Sequence, residues 1–239
     1  RRGKPTLWVT YGGPQAINAG DFLWSTAFRA VADRSAHAEV TLELVRLLSD
    51  MAMEVVQGQA LELSPLSDQV AVREHYFDII RGKTSGLFRT PARGALLLAG
   101  VDRPTIDKLS AYFEQLGLIF QLQDDLLDLY GDKGRSGIGE DLREGKLSFL
   151  IVKHVELHPT AKQSCLEFLR SPREEVSAEE VAAWISKFRE DGTLAAALDE
   201  FQSRETDLLS AVGDELPHYQ NIFKELASVI KAPIQHLFA

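Results

Sequence analysis

The sequence predicts an all-α protein, one bundle of long helices with a large apolar interior. Three observations carry this reading. The nine prolines, at 5, 14, 65, 91, 104, 159, 172, 217 and 233, leave long stretches between them, and helices run where proline is absent. Within those stretches apolar residues recur at three- and four-residue steps, the rhythm of a helix with one buried face. Period-two alternation, the mark of a half-buried strand, is confined to Leu7-Trp-Val-Thr-Tyr11, which is equally compatible with a loop or the start of a helix.

Taken in order, Ala38 to Leu63 carries Val40, Leu44, Leu47, Leu48, Met51, Val55 and Leu63 in helical register. Gly58-Gln59 interrupts it. Glycine in a helix costs stability, so close backbone packing or a cavity wall is expected there. Arg73 to Thr90 repeats the pattern through Tyr76, Ile79, Ile80, Lys83 and Leu87, and Thr105 to Tyr130 continues it at higher hydrophobicity. Gly131 to Gly145 holds five glycines and is the main irregular segment. Following directly on the most apolar helix, it suits a surface loop or, more specifically, a lid or phosphate loop. Ala178 to Phe188 and Leu194 to Val212 are amphipathic helices. No linker or repeat divides the chain, so a single domain over 1–239 is expected.

Bulk composition narrows the function. The 239 residues are 45% hydrophobic and 26% charged, enough to bury a sizeable core. A net charge of −9 argues against nucleic acid or an anionic membrane surface as the main partner. The single cysteine, Cys165, excludes an internal disulfide and fits a reducing, cytoplasmic compartment. It reads as an inert small hydrophobe. No apolar run approaches the length of a membrane span. The opening Arg1-Arg2-Gly3-Lys4-Pro5, with neither Met nor a helix-start pattern, reads as cut from something longer.

Leu118-Ile-Phe-Gln-Leu-Gln-Asp-Asp-Leu-Leu-Asp-Leu-Tyr130 is the most informative stretch. At about 100° per residue, Gln121, Asp124, Asp125 and Asp128 form one polar stripe on a helix that is otherwise apolar. Carboxylates one turn apart repel, and such a helix is buried rather than solvated. A hard divalent cation that takes oxygen ligands resolves the conflict. The alternative, a solvated acidic face, is disfavoured by the apolar flanks.

Lys83 offers a point charge suited to phosphate oxygens, with Thr84 a donor beside it; a plain surface pair is the bland alternative. Arg1, Arg2 and Lys4 form either a solvated terminus or an anion clamp, and Lys146 is ambiguous in the same way. His154 and His158 lie four apart, but Pro159 follows at once and the sequence offers no third zinc ligand. Neither a Gly-x-Ser-x-Gly elbow nor a Walker pattern occurs. Acidic metal ligands, scattered phosphate-binding cations and an apolar helical interior together suit ionisation of a diphosphate ester of a hydrocarbon.

These residues resemble the trans-isoprenyl diphosphate synthases (polyprenyl synthetases). The resemblance runs from Arg1-Arg2-Gly3-Lys4-Pro5 through Gln15-Ala-Ile-Asn-Ala-Gly-Asp21, Gly58-Gln59 and Lys83-Thr84. It culminates in Gly117-Leu-Ile-Phe-Gln-Leu-Gln-Asp-Asp-Leu-Leu-Asp128 and Asp141-Leu-Arg-Glu-Gly-Lys146; Phe188-Arg-Glu-Asp-Gly-Thr-Leu-Ala195 is weakly similar. It implies an all-α barrel around a deep hydrophobic cavity, a homodimer, and a Mg²⁺-dependent short-chain enzyme such as a farnesyl or geranylgeranyl diphosphate synthase. Such an enzyme condenses isopentenyl diphosphate with an allylic diphosphate to a C15 or C20 product. Carried over residue by residue, Asp124, Asp125 and Asp128 would hold Mg²⁺ against the allylic diphosphate, with Asp124 the most direct ligand. Lys83, Lys146 and Arg1 would bind that diphosphate and Arg2 the diphosphate of isopentenyl diphosphate. Thr84 and Gln121 would face the carbon skeleton, and Phe120 would pack against isopentenyl diphosphate.

The chain departs from the family pattern in three places. The family's first aspartate-rich motif and the helices before it lie upstream of the Arg-Arg pair, so the domain is expected to be truncated at its N-terminus. The customary loop lysine must be replaced by Lys133 or Arg135, and Glu62 stands where Asp is usual. Two other readings share these motifs. A non-catalytic prenyl-synthase-like subunit is suggested by the absent first motif. A class I terpene cyclase would use the same ionisation but has less need of the Arg-Arg and Lys-Thr contacts, which suit a second diphosphate.

Overall fold

A computed structural model describes residues 4–34, 37–131 and 138–238. Among these the regular structure is helical, with no strand. The helices are α1 (Leu7–Tyr11), α2 (Gly13–Arg34), α3 (Ala38–Leu63), α4 (Val72–Ile80), α5 (Gly86–Leu98) and α6 (Arg103–Tyr130). They continue as α7 (Glu140–Arg143), α8 (Phe149–Leu157), α9 (Lys162–Leu169), α10 (Ala178–Glu190), α11 (Thr193–Glu215) and α12 (Gln220–Lys231).

Helix α6 is the axis of the fold. Asp102 caps it, accepting the Thr105 N–H at 3.0 Å, and Pro104 lies in its first turn, where no partner N–H is needed. Its C-terminal half is buried on nearly every side through Leu116, Leu118, Ile119, Leu122, Leu126 and Leu129. Helices α5, α8, α11 and α12 pack around it. Four consecutive residues of α8, Phe149 to Val152, are fully buried, so that helix runs through the interior. Charged side chains tie the ring together. Glu200 on α11 binds Arg73 of α4 at 2.6 Å, Arg204 at 2.8 Å and Lys153 of α8 at 3.1 Å. Burial pushes the Glu200 carboxyl up, but these three cations overcome it and hold the group down at about 2.

The helix expected over Arg73 to Thr90 is instead α4 and α5 joined by a π-helical turn, Arg81–Ser85. The reason is crowding by two neighbouring backbones. A Cβ on Gly58 of α3 would lie 2.5 Å from the Lys83 nitrogen, and one on Gly117 of α6 would lie 2.9 Å from Ser85 Cα. The turn is thus clamped between two glycines, and a widened turn fits where a regular one would clash. Pro91 falls inside α5 rather than ending it, at the loss of one backbone hydrogen bond. Leu7–Tyr11 is helical, turning out through Gly12 at φ +82°.

Helices α1 to α3 carry an apolar surface: Trp8, Tyr11, Phe22, Leu23 and Val56 are each more than half exposed. A patch of that kind marks an interaction surface. No helix among the described residues is long and apolar enough to cross a membrane.

Candidate functional site

The polar stripe of α6 faces a cavity of about 210 Å³ enclosed by α3, α4, the π-turn and the segment after α7. Glu62, Tyr76, Lys83, Gln121, Asp124, Asp125, Asp141 and Lys146 line it. The clamp described above decides where the π-turn points. With no side chain between the backbones at Gly58, Lys83 is carried to the cavity wall and Thr84, buried beside it, to within hydrogen-bond reach of Gln121.

Asp125 is the anchor of the acidic stripe. Its Oδ2 accepts the Tyr76 hydroxyl at 2.8 Å and the Phe149 N–H at 2.7 Å, and its Oδ1 accepts the Gln121 amide at 3.0 Å. Burial nevertheless pushes the carboxyl up to about 7; the three hydrogen bonds oppose that and Asp124 adds to it. Burial and the adjoining Asp125 push the Tyr76 phenol well above its ordinary range. Thr84 Oγ1 donates to Gln121 Oε1 at 2.9 Å, so Thr84, Gln121 and Asp125 form one relay with fixed dipoles. Each carboxylate oxygen can accept two bonds; Oδ1 of Asp125 keeps capacity for a further partner, whereas Oδ2 is filled.

Asp124 is half-buried on the cavity wall. Asp128, 6% exposed, lies one turn further on and accepts the Asp141 N–H at 3.2 Å through Oδ2, while its carbonyl accepts the Gly139 N–H at 2.9 Å. Asp128 therefore docks α7 onto α6 and brings Asp141 to the cavity. The oxygen-only donor set of Asp124, Asp125 and Asp141, with no thiolate or imidazole among the described residues lining the cavity, fits a hard divalent cation.

Two lysines reach the same space, each held by acids. Lys83 Nζ bonds Glu62 Oε2 at 2.5 Å, and Gln59 donates to that same oxygen at 3.2 Å. Lys146 Nζ lies 2.7 Å from both Asp141 Oδ1 and Glu144 Oε2. Burial acts to lower the Lys146 ammonium, but these two acids outweigh it and hold the group above its usual value. Gly145 makes the turn before it at φ +70°, with the Leu169 carbonyl 2.3 Å from where a Cβ would sit.

The structure thus gathers Lys83, Gln121, Asp124, Asp125 and Lys146 around one cavity, with Thr84 and Asp128 buried behind its wall and bonded to Gln121 and to the Asp141 N–H. Phe120 stands apart, 36% exposed, with its ring 5.2 Å from that of Phe88. Arg1, Arg2, Lys133 and Arg135 lie outside the described residues. Tyr76 and Asp141 are site residues that sequence reasoning did not single out. The available signals were Tyr76 seven residues before Lys83, on the same helical face, and Asp141 five residues before Lys146.

The family model described as polyprenyl synthetase matches residues 1–187. A short-chain isoprenyl diphosphate synthase of Methanocaldococcus jannaschii is 37% identical over 176 residues, covering 71% of this chain and 52% of that protein. The chain therefore spans about half the length of that relative. Among solved structures, a geranylgeranyl pyrophosphate synthase superposes with a TM-score of 0.84 at 26% identity, covering 96% of this chain and 72% of that one. A polyprenyl synthase from Caulobacter crescentus CB15, complexed with calcium and isoprenyl diphosphate, gives a TM-score of 0.79 at 26% identity, covering 96% and 69%.

Proposed function

The chain belongs to the polyprenyl synthetase family, and from that premise we infer that the protein carrying it condenses isopentenyl diphosphate with an allylic diphosphate, releasing a longer trans-prenyl diphosphate of the C15 or C20 class. The observation that carries this reading is the convergence of Lys83 and Lys146 with Asp124 around one cavity: cations for phosphate oxygens facing carboxylates for a divalent ion. The Caulobacter relative, complexed with calcium and isoprenyl diphosphate, supports the pairing of ion and ligand.

Asp124, Asp125 through its Oδ1, and Asp128 would hold Mg²⁺. The ion supplies Lewis acidity to the departing pyrophosphate. Lys83 and Lys146 exchange their carboxylate partners for phosphate oxygens of the allylic substrate, which Arg1 would also bind. Arg2 and Phe120 serve isopentenyl diphosphate. Thr84 and Gln121 present oriented dipoles to positive charge developing on the allylic carbons, and because the relay through Asp125 already fixes them, they stabilise it without reorganising. Ile79, Ile80 and Leu147 on the cavity wall keep water from that cation. The double bond of isopentenyl diphosphate then attacks, and the proton lost in forming the new double bond goes to the released pyrophosphate. The exposed apolar face of α1 to α3 supports a homodimer, and the single buried Cys165 a reducing, cytoplasmic setting.

Product analysis tests the reading. Incubation with isopentenyl diphosphate, an allylic primer and Mg²⁺ should release a prenyl diphosphate longer than the primer. Release of hydrocarbon, or of nothing, would overturn it.

A further inference from the structure

A second cluster of ligating side chains lies outside the α6 cavity, at the corner between α10 and α11. His154 is in the last turn of α8, 1% exposed, with the rings of Trp184 and Phe188 closing over it at 5.6 and 5.4 Å. His158 ends that helix and is more open, its side chain 38% exposed. Asp191 ends α10, and Gly192 at φ +84° turns the chain so that Thr193 begins α11. His154 Nδ1 lies 3.0 Å and His158 Nε2 3.7 Å from one oxygen, Asp191 Oδ2. One donor atom from each of the three residues falls within 4.8 Å of the others.

Hydrogen bonding accounts for part of the cluster: His154 Nδ1 lies 3.2 Å from the Thr193 hydroxyl, and His158 Nε2 lies 3.3 Å from the Asp191 carbonyl. Asp191 Oδ1 is satisfied locally by the Thr193 N–H at 3.0 Å and the Thr193 hydroxyl at 2.6 Å. Asp191 Oδ2 and His154 Nε2 are both buried without a hydrogen-bond partner. A buried carboxylate oxygen set between two imidazole nitrogens is placed to share one electrophile with both of them. In a tetrahedral site with bonds of about 2.0–2.1 Å, ligand atoms stand about 3.3 Å apart. The two distances to Asp191 Oδ2 bracket that spacing. Two imidazoles and one carboxylate suit a borderline first-row cation rather than a hard one. The Thr193 hydroxyl on Oδ1 is the outer contact that would orient the acid.

We propose that His154, His158 and Asp191 form a binding site for a divalent transition metal of the zinc class, with water completing the coordination on the open side of His158. Such an ion joins the end of α8 to the α10–α11 corner. The other end of α8 is Phe149, whose N–H holds Asp125, so the site braces the helix on which the acidic stripe depends.

The test titrates chelator-stripped protein with Co²⁺ and then Zn²⁺, following visible absorption and thermal unfolding. One equivalent of Co²⁺ should give the intense bands of a four-coordinate ion, Zn²⁺ should displace them, and Zn²⁺ should raise the unfolding temperature. His158→Ala, at a half-open helix end, should fold with an unchanged far-UV spectrum and bind Co²⁺ at least about tenfold more weakly. Asp124→Ala should leave the bands in place. Absence of the bands in the folded wild-type protein, or bands that form in His158→Ala at the same Co²⁺ concentration as in wild type, would overturn the assignment. Bands abolished by Asp124→Ala would place the ion in the α6 cavity and overturn it equally.

Discussion

Replacing Asp125 with Asn tests the buried acid directly. The folded protein raises this carboxyl from 3.8 to about 7, so it favours the protonated form. Stability contributed by the group is therefore full below about pH 4 and is lost as pH rises through about 7. At about 1.4 kcal/mol per unit, the whole loss is on the order of 4 kcal/mol, of which roughly 2–3 kcal/mol falls between pH 5 and pH 8. Asn carries no charge and keeps the shape. Its oxygen can accept from Tyr76 and Phe149, while its amide donates to a flipped Gln121, whose own amide then meets Thr84 Oγ1. Urea unfolding of wild type and Asp125→Asn in EDTA, at pH 5 and pH 8, reads the effect. The stability of the variant relative to wild type should increase by about 2–3 kcal/mol across that window. A difference that stays flat would refute the claim that an ionised Asp125 is held at a cost.

Asp124→Ala should cut Mg²⁺-dependent turnover by roughly 100-fold or more while thermal unfolding in EDTA stays cooperative; steady-state kinetics checks the first and calorimetry the second. Lys83→Ala should raise the half-saturation concentration of the allylic substrate by roughly tenfold or more, the scale of one charge-assisted hydrogen bond, with a smaller change in turnover. Gly58→Ala puts a methyl group 2.5 Å from the Lys83 nitrogen and should cost about 1–3 kcal/mol. That appears as a fall of several degrees in unfolding temperature, and an unchanged temperature would mean the helix crossing is looser than described.

What could be read from the sequence follows the range of the forces involved. Helix α3 spans Ala38–Leu63 as its apolar rhythm indicates, because a long periodic stretch declares itself locally. The acid stripe of α6 was legible for the same reason, its apolar flanks demanding burial. The break at Arg81–Ser85 was not, since nothing within that segment reports that α3 and α6 press on it from both sides. Gly58 supplied half the signal and Gly117 the other half, 59 residues apart. The Tyr76 hydroxyl on Asp125 and the place of Asp191 beside His154 and His158 are likewise products of helix crossings. In the second case a spacing that lacked a third ligand in the sequence meets a candidate from 33 residues downstream. Leu7–Tyr11 shows the opposite limit, five residues being too few to separate two periods.

Because the turn bearing Lys83 and Thr84 touches its neighbours backbone to backbone, the place of its main chain relative to α6 is fixed at the two glycine contacts. For the proposed reaction, the apolar walls are then free to vary with hydrocarbon length, while the main chain that carries Lys83 keeps its place in every variant that retains the two glycines.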